Sequence, residues 1–139
     1  MIKNKPTYVS LFSSAGVGCY GFKLENFECI ATNEIMERRL AIQKNNKKCH
    51  FETGYISGDI KEKDIKQKIY NEIKRWKKMG NDRVDVVVAT PPCQGMSVAN
   101  HKKKSDELNR NSLVNESVEI VKAIKPRFFI FENVAAFWK

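Results

Sequence analysis

The sequence predicts an α/β fold, a mostly parallel sheet with helices on both faces, and three observations carry that prediction. Short β-branched and aromatic runs recur along the 139 residues, and most are followed by a segment whose apolar side chains return at helical spacing. No internal repeat or low-complexity linker interrupts this alternation, the pattern of a parallel sheet with crossover helices. The predicted strands also end at turn-forming or acidic residues. In a parallel sheet these ends share one rim, where open α/β folds bind ligands.

Thr7–Phe12 is short and β-prone and runs directly into Ser13-Ser14-Ala15-Gly16-Val17-Gly18. A turn of small residues lets backbone approach a ligand, and a following helix aims its free N–H groups at the same place. Tight strand-to-helix turns use the same residues for geometry alone, so both roles stay open here; Gly21 falls within the helix. Phe27–Asn33 is a second strand ending at Glu34, about 20 residues beyond the glycine turn, where a carboxylate can accept from both hydroxyls of a ribose. The plainer role for Glu34 is a helix-start carboxylate favoured by the dipole. A helix follows over residues 35–46. Tyr55–Ile60 is a short third strand with Asp59 at its end, suited to accept from an adenine amino group or to cap the next helix.

Ile65, Ile69, Ile73 and Trp76 form a helical stripe that belongs to the core, with lysines over the remaining surface. Gly80-Asn81-Asp82 closes that helix. Val84-Asp85-Val86-Val87-Val88-Ala89 is the fourth strand, halted by Pro91-Pro92, because proline cannot donate to a ladder and restricts its predecessor. Cys93 is thereby presented at the strand's carboxyl end. A single cysteine is most often inert core filling; this position makes it a candidate nucleophile. Residues 95–110 read as a long polar loop, of the length of functional lids, whose Lys102-Lys103-Lys104 suits closure over a phosphate backbone. Leu113, Val114, Val118, Val121 and Ile124 mark a helix over residues 111–124. Lys125-Pro126 stops it, and Arg127–Phe131 is a fifth, buried strand leading to Glu132-Asn133-Val134. The glycine turn, Glu34, Asp59, Cys93 and Glu132 are thus expected along one rim.

Lys and Arg number 25 against 16 Asp and Glu, a formal charge of +9, which suits either a polyanionic partner or a solvated lysine-rich surface. The four cysteines show no C-x-x-C pair and no ligand spacing with His50 or His101. That argues against a zinc site or a disulfide framework and for a reducing compartment. No stretch has the length or apolarity of a signal peptide's core or of a membrane span. A soluble cytoplasmic chain, with no metal and no membrane partner, is expected.

Taken together, Ser10-Leu11-Phe12-Ser13-Ser14-Ala15-Gly16-Val17-Gly18, Asn33-Glu34, Gly58-Asp59-Ile60, Pro91-Pro92-Cys93-Gln94-Gly95-Met96-Ser97, Arg110-Asn111-Ser112-Leu113 and Glu132-Asn133-Val134 resemble the successive motifs of DNA (cytosine-5)-methyltransferases. The resemblance covers nearly the whole chain. It implies a Rossmann-like fold that binds S-adenosylmethionine and acts on double-stranded DNA, within a bacterial restriction-modification system. By motif match, Phe12, Ser13, Ser14, Ala15, Gly16 and Val17 line the cofactor pocket, with Ile60, Thr90, Pro92 and Leu113 also at it. Glu34 holds the ribose, Ile35 packs on the adenine and Asp59 bonds its amino group. Cys93 is the nucleophile, Glu132 the acid and Asn133 a support for Pro92. Gln94, Ser97, Lys102, Lys103, Lys104 and Arg110 face DNA.

Departures are visible at Ser10, where many members carry aspartate, at Ser14, where glycine is common, at Ile35, where an aromatic can stack, and at Thr90-Pro91. The later family motifs, the target-recognition region and the last helix of the cofactor pocket have no counterpart before Lys139. The sheet is therefore expected to be incomplete at its carboxyl end. The chain is expected to be the N-terminal part of the catalytic domain, completed in cis or by a second polypeptide and inactive alone. Two other readings compete. A nicotinamide-dependent oxidoreductase would leave Pro92-Cys93 and Glu132-Asn133 without a purpose, and a non-catalytic DNA-binding or assembly subunit would have no use for Cys93 and Glu132.

Overall fold

The computed structural model describes residues 5–92 and 107–133. The elements run β1 (Thr7–Leu11), α1 (Tyr20–Leu24), β2 (Glu28–Glu34), α2 (Glu37–Asn45), β3 (Tyr55–Ser57), α3 (Lys63–Lys78), β4 (Val86–Ala89), α4 (Glu107–Ile124) and β5 (Phe128–Phe131). The five strands form one sheet in the order β3-β2-β1-β4-β5, and every pairing is parallel. From β1 the chain winds outward through β2 to β3, then returns to the other side of β1 at β4. The β1/β4 boundary is therefore the topological switch point, where open α/β sheets hold their ligands.

Alternation along β1 explains the two cores. Val9 and Leu11 face a layer made with Ile30, Ile56, Val87, the α3 stripe Ile65, Ile69, Ile73 and Trp76, and Ile120 of α4. Tyr8 faces the other way, into a layer with Cys19, Cys29, Cys49, Val86 and Val88, where it stacks on Phe22 of α1 at 4.9 Å. Because both faces are covered around β1, all five of its residues are buried, Thr7 and Ser10 included.

Several sequence expectations are corrected. α2 starts at Glu37 rather than at residue 35, because Met36 is still extended and its N–H donates to Glu34 Oε1 at 3.1 Å. β3 stops at Ser57; Gly58 follows at φ 140°, where a Cβ would lie 2.4 Å from Ile65 Cδ1, so a side chain is excluded. The long polar loop is shorter than expected at its end, since Glu107–Arg110 already belongs to α4. The helix after the glycine turn is only five residues long and is preceded by a 3-10 turn at Val17–Cys19. No extended helix N-terminus therefore stands at the turn.

The largest correction concerns β5. The run Phe128-Phe129-Ile130-Phe131 reads as a buried strand, yet Phe128 is 62%, Phe129 59% and Ile130 46% exposed. Among the described residues β5 is paired only with β4 and stands at an edge of the sheet. Hydrophobicity reports that these side chains are suited to burial; among the described residues nothing covers them.

Candidate functional site

The rim at the carboxyl ends of the strands is joined by main-chain hydrogen bonds that continue the sheet pattern past the strands themselves. Ser13 N–H donates to Asn33 O at 3.0 Å, Gly58 N–H to Glu34 O at 3.2 Å, Thr90 N–H to Leu11 O at 3.4 Å and Glu132 N–H to Ala89 O at 3.1 Å. The glycine turn, Glu34, the Gly58-Asp59 turn, Thr90 and Glu132 thus lie along one edge.

The turn after β1 is held in an unusual backbone shape. Phe12 and Ser14 have φ of 55° and 49°, a region costly for residues with a Cβ, and Gly16 has φ 87°. Three groups fix it. Thr90 Oγ1 donates to Phe12 O at 3.0 Å. Glu34 Oε2 accepts from Ser14 N–H at 2.8 Å. Gln43, from α2, donates through Nε2 to Ser13 Oγ at 2.8 Å and Ser14 O at 2.6 Å, while its Oε1 accepts from Thr32 Oγ1 at 2.8 Å.

Sequence reasoning missed Gln43. It sits among charged α2 residues and looks like surface, but it is 1% exposed. The only available signal was its place one turn after Leu40 on the inward face of that helix. The Gly16 requirement follows from it as well, since a Cβ there would meet Gln43 Cγ at 3.0 Å.

Glu34 is buried, 4% exposed, and its carboxylate is already engaged by the Ser14 and Met36 N–H groups, with Arg39 Nη1 at 3.6 Å. An ionised carboxylate has about four lone-pair sites, so two remain to accept from a ligand's hydroxyls. Glu34 therefore braces the turn and the start of α2, the plainer of its two expected roles. Asp59 is half-buried and accepts from Lys61 N–H at 3.0 Å, with Lys61 Nζ at 3.5 Å. This is the local turn geometry of a helix-start aspartate, and it leaves acceptor capacity too. Asn33 ties the two regions together by donating from Nδ2 to Ile56 O and Gly58 O, both at 3.1 Å.

A cavity of about 250 Å³ opens at the switch point, lined by Ser10, Ser13, Ser14, Ala15, Val17, Gly18, Cys19, Val88 and Thr90. A larger one, about 400 Å³, lies behind the same turn against α1 and α2, and reaches Tyr8, Gln43 and Lys48. The smaller cavity coincides with the strand-end position expected for a ligand.

Ser13, Ser14, Ala15, Val17 and Thr90 meet in that smaller cavity, and Gly16 adjoins it in the turn. Ile35 is 63% exposed beside Glu34, open for packing. Ile60, by contrast, is 2% exposed within the main core, and Leu113 packs against that core; their side chains support the sheet. Pro92 and Glu132 are exposed at the rim, and Asn133 is half-buried. Arg110 lies on α4. Cys93, Gln94, Ser97, Lys102, Lys103 and Lys104 lie outside the described residues. Among the described residues no group of three or more His, Cys, Asp or Glu is placed to hold a metal ion. No helix among them is long and apolar enough to cross a membrane.

Comparison with known proteins matches this arrangement to one family. The C-5 cytosine-specific DNA methylase pattern extends over residues 7–139. The chain is 33% identical over 129 residues to the Type II methyltransferase M1.HgaI of Avibacterium volantium, a match spanning 91% of this chain and 34% of that protein. It is 33% identical over 132 residues to Type II methyltransferase M.NgoPII of Neisseria gonorrhoeae, covering 95% of this chain and 34% of the relative. A solved E. coli structure, described as a prophage-encoded DNA modification methyltransferase, superposes with a TM-score of 0.69 at 22% identity, covering 97% of this chain and 34% of the other. The chain thus spans about a third of the length of these relatives, and its sheet is of the Rossmann-like methyltransferase kind. On the family match across nearly its whole length, the chain belongs to the C-5 cytosine-specific DNA methylases.

Proposed function

We propose that residues 1–139 form the N-terminal part of the cofactor-binding and catalytic domain of a restriction-modification DNA (cytosine-5)-methyltransferase. The observation that carries this reading is the convergence of the glycine turn, Glu34, the Gly58-Asp59 turn, Thr90 and Glu132 on one rim around the β1/β4 switch point, with the buried Glu34 carboxylate 2.8 Å from Ser14 N. The donor set suits S-adenosylmethionine: an open cavity beside a turn of small residues, one carboxylate for ribose hydroxyls at Glu34 and a second for an amino group at Asp59. Ser13, Ser14, Ala15, Gly16, Val17 and Thr90 would hold its methionine portion, and Ile35 would pack on the adenine. When bound, this cofactor supplies a methyl group on a sulfonium centre as the electrophile.

The chain's own residues would activate the other reactant. Carbon 5 of cytosine is a weak nucleophile. The Cys93 thiolate would form a bond to carbon 6 while Glu132 gives a proton to ring nitrogen 3, so the displaced electron pair makes carbon 5 enamine-like and nucleophilic. After methylation, loss of the carbon 5 proton to a base, departure of the thiolate from carbon 6 and return of the nitrogen 3 proton to Glu132 would restore the ring. A stacked base is out of reach, so the cytosine must be extruded, at a cost of a few kcal/mol. Gln94, Ser97, Lys102, Lys103, Lys104 and Arg110 would contact the DNA around the gap, and Asn133 would support Pro92.

The partner for the exposed β5 edge is the remainder of the enzyme, in cis or as a second polypeptide, which also brings the target-recognition region. This accounts for an apolar edge strand that would otherwise invite aggregation. Trapping on DNA carrying 5-fluorocytosine tests the reading, with the chain combined with its natural remainder. A covalent adduct is expected, and its loss in Cys93→Ser. No adduct in an assembly that binds both DNA and S-adenosylmethionine would favour a non-catalytic assembly role. Tighter binding of NAD than of S-adenosylmethionine in calorimetry would favour an oxidoreductase.

A further inference from the structure

Beneath α1, on the face of the sheet away from α3 and α4, three of the four cysteines of the chain lie buried, and two of them touch. Cys29 opens the interior of β2; Cys49 follows α2 and pairs with Cys29 in an isolated parallel bridge, so their backbones run side by side. Their Sγ atoms are 3.4 Å apart. Cys29 is 1% and Cys49 7% exposed. Neighbouring parallel positions hold their Cα atoms within the span a disulfide requires, and the sulfurs need to close from 3.4 Å to about 2 Å to bond.

We propose that Cys29 and Cys49 constitute a peroxide-oxidisable dithiol, a modification site whose disulfide joins β2 to the segment after α2. The surroundings support the chemistry. Burial raises the Cys29 thiol, but the hydrogen bond from Cys49, the Lys48 ammonium and the Tyr8 hydroxyl outweigh it and bring its pKa below the ordinary value. Burial and the neighbouring Cys29 push Cys49 well up. Of the two, Cys29 is the sulfur whose thiolate is favoured, and Cys49 Sγ donates to it, so Cys29 is the nucleophile and Cys49 the resolving thiol.

The Cys29 thiolate attacks one oxygen of hydrogen peroxide, the O–O bond breaks, and hydroxide leaves with a proton from solvent as water. The resulting sulfenic acid is attacked by the Cys49 sulfur; the S–O bond breaks, the S–S bond forms, and a second water departs. Two thiols and one peroxide give one disulfide and two waters. The closed segment contains Glu34 and Gln43, so the bond would tether the two elements that brace the glycine turn.

The test uses the full chain carrying Cys19→Ser and Cys93→Ser, which leaves Cys29 and Cys49 as its thiols. After hydrogen peroxide both should vanish together from alkylation, the mass should fall by two hydrogens, a single linked peptide pair should appear, and dithiothreitol should restore both thiols. The urea midpoint of the oxidised form should rise, since a crosslink restricts the unfolded chain. In the unsubstituted chain, peptide mapping should find Cys29 joined to Cys49, which covers the case in which the double variant fails to fold. Independent oxidation of one cysteine to sulfinic acid, linkage between molecules, pairing with Cys19 or Cys93 in the unsubstituted chain, or survival of both thiols would overturn the proposal. None of these outcomes depends on methyltransferase activity.

Discussion

Replacing Gln43 with alanine should damage both the fold and the site, because one buried amide supports three separate groups. The variant removes the partner of Thr32 Oγ1 and the donors to Ser13 Oγ and Ser14 O. A buried polar group left unpaired costs about 1–3 kcal/mol, but the three losses are not equal. Thr32 Oγ1 still accepts from Lys48 Nζ at 3.1 Å but its buried O–H loses its acceptor, whereas Ser13 Oγ keeps Asn33 O at 3.0 Å, and Ser14 is exposed, so its carbonyl can turn to water. The polar part therefore falls to about one unsatisfied group, ~1–2 kcal/mol. Truncation also removes one buried methylene, at about 0.8 kcal/mol. The sum is about 2–3 kcal/mol, read as a lowered midpoint in urea unfolding followed by circular dichroism. Calorimetric affinity for S-adenosylmethionine should fall by about tenfold or more, since Phe12 and Ser14 keep their left-handed backbone only while the turn is held. A loss of stability under about 0.5 kcal/mol, with affinity unchanged, would refute the assignment of Gln43 as the brace of the turn.

Glu34→Gln should lower calorimetric affinity for S-adenosylmethionine by roughly tenfold to a hundredfold, because a neutral amide accepts more weakly and one of its ends repels the Ser14 N–H. Gly16→Ala should cost about 1–2 kcal/mol in urea unfolding, from the left-handed backbone and the 3.0 Å approach of Gln43 Cγ. Phe128→Lys should leave the stability of the isolated chain within about 0.5 kcal/mol, since the side chain is exposed, yet reduce assembly with the remainder of the enzyme in a pull-down. Lys66, on α3, pairs with Glu116 and Glu119 of α4, and its hydrogen bond to Glu116 raises its pKa above 10.5 against the opposing effect of burial. A folded pKa above the unfolded one means that the contribution is complete below pH 10.5 and is lost as pH climbs through the raised value. Lys66→Met should therefore lower stability by about 1 kcal/mol at neutral pH, and the difference from the unsubstituted chain should shrink in alkali.

The sequence by itself determined the sheet class, the succession of strands and helices, and the order of the motif residues. Those follow from local rules: β-branched runs stopped by proline or glycine, apolar stripes at helical period, and carboxylates placed just past strand ends. Tertiary structure decided what local rules cannot see. Gln43 is polar and surrounded by charge in sequence, and only the packing of α2 behind the glycine turn makes it a buried brace. Glu34 braces the glycine turn because Ser14, twenty residues earlier, folds back onto it. Phe128, Phe129 and Ile130 carry the composition of a core strand, but burial is a property of neighbours, and β5 is an edge. Cys29 and Cys49 meet because a parallel bridge aligns two segments twenty residues apart, a register that no spacing rule in the chain encodes.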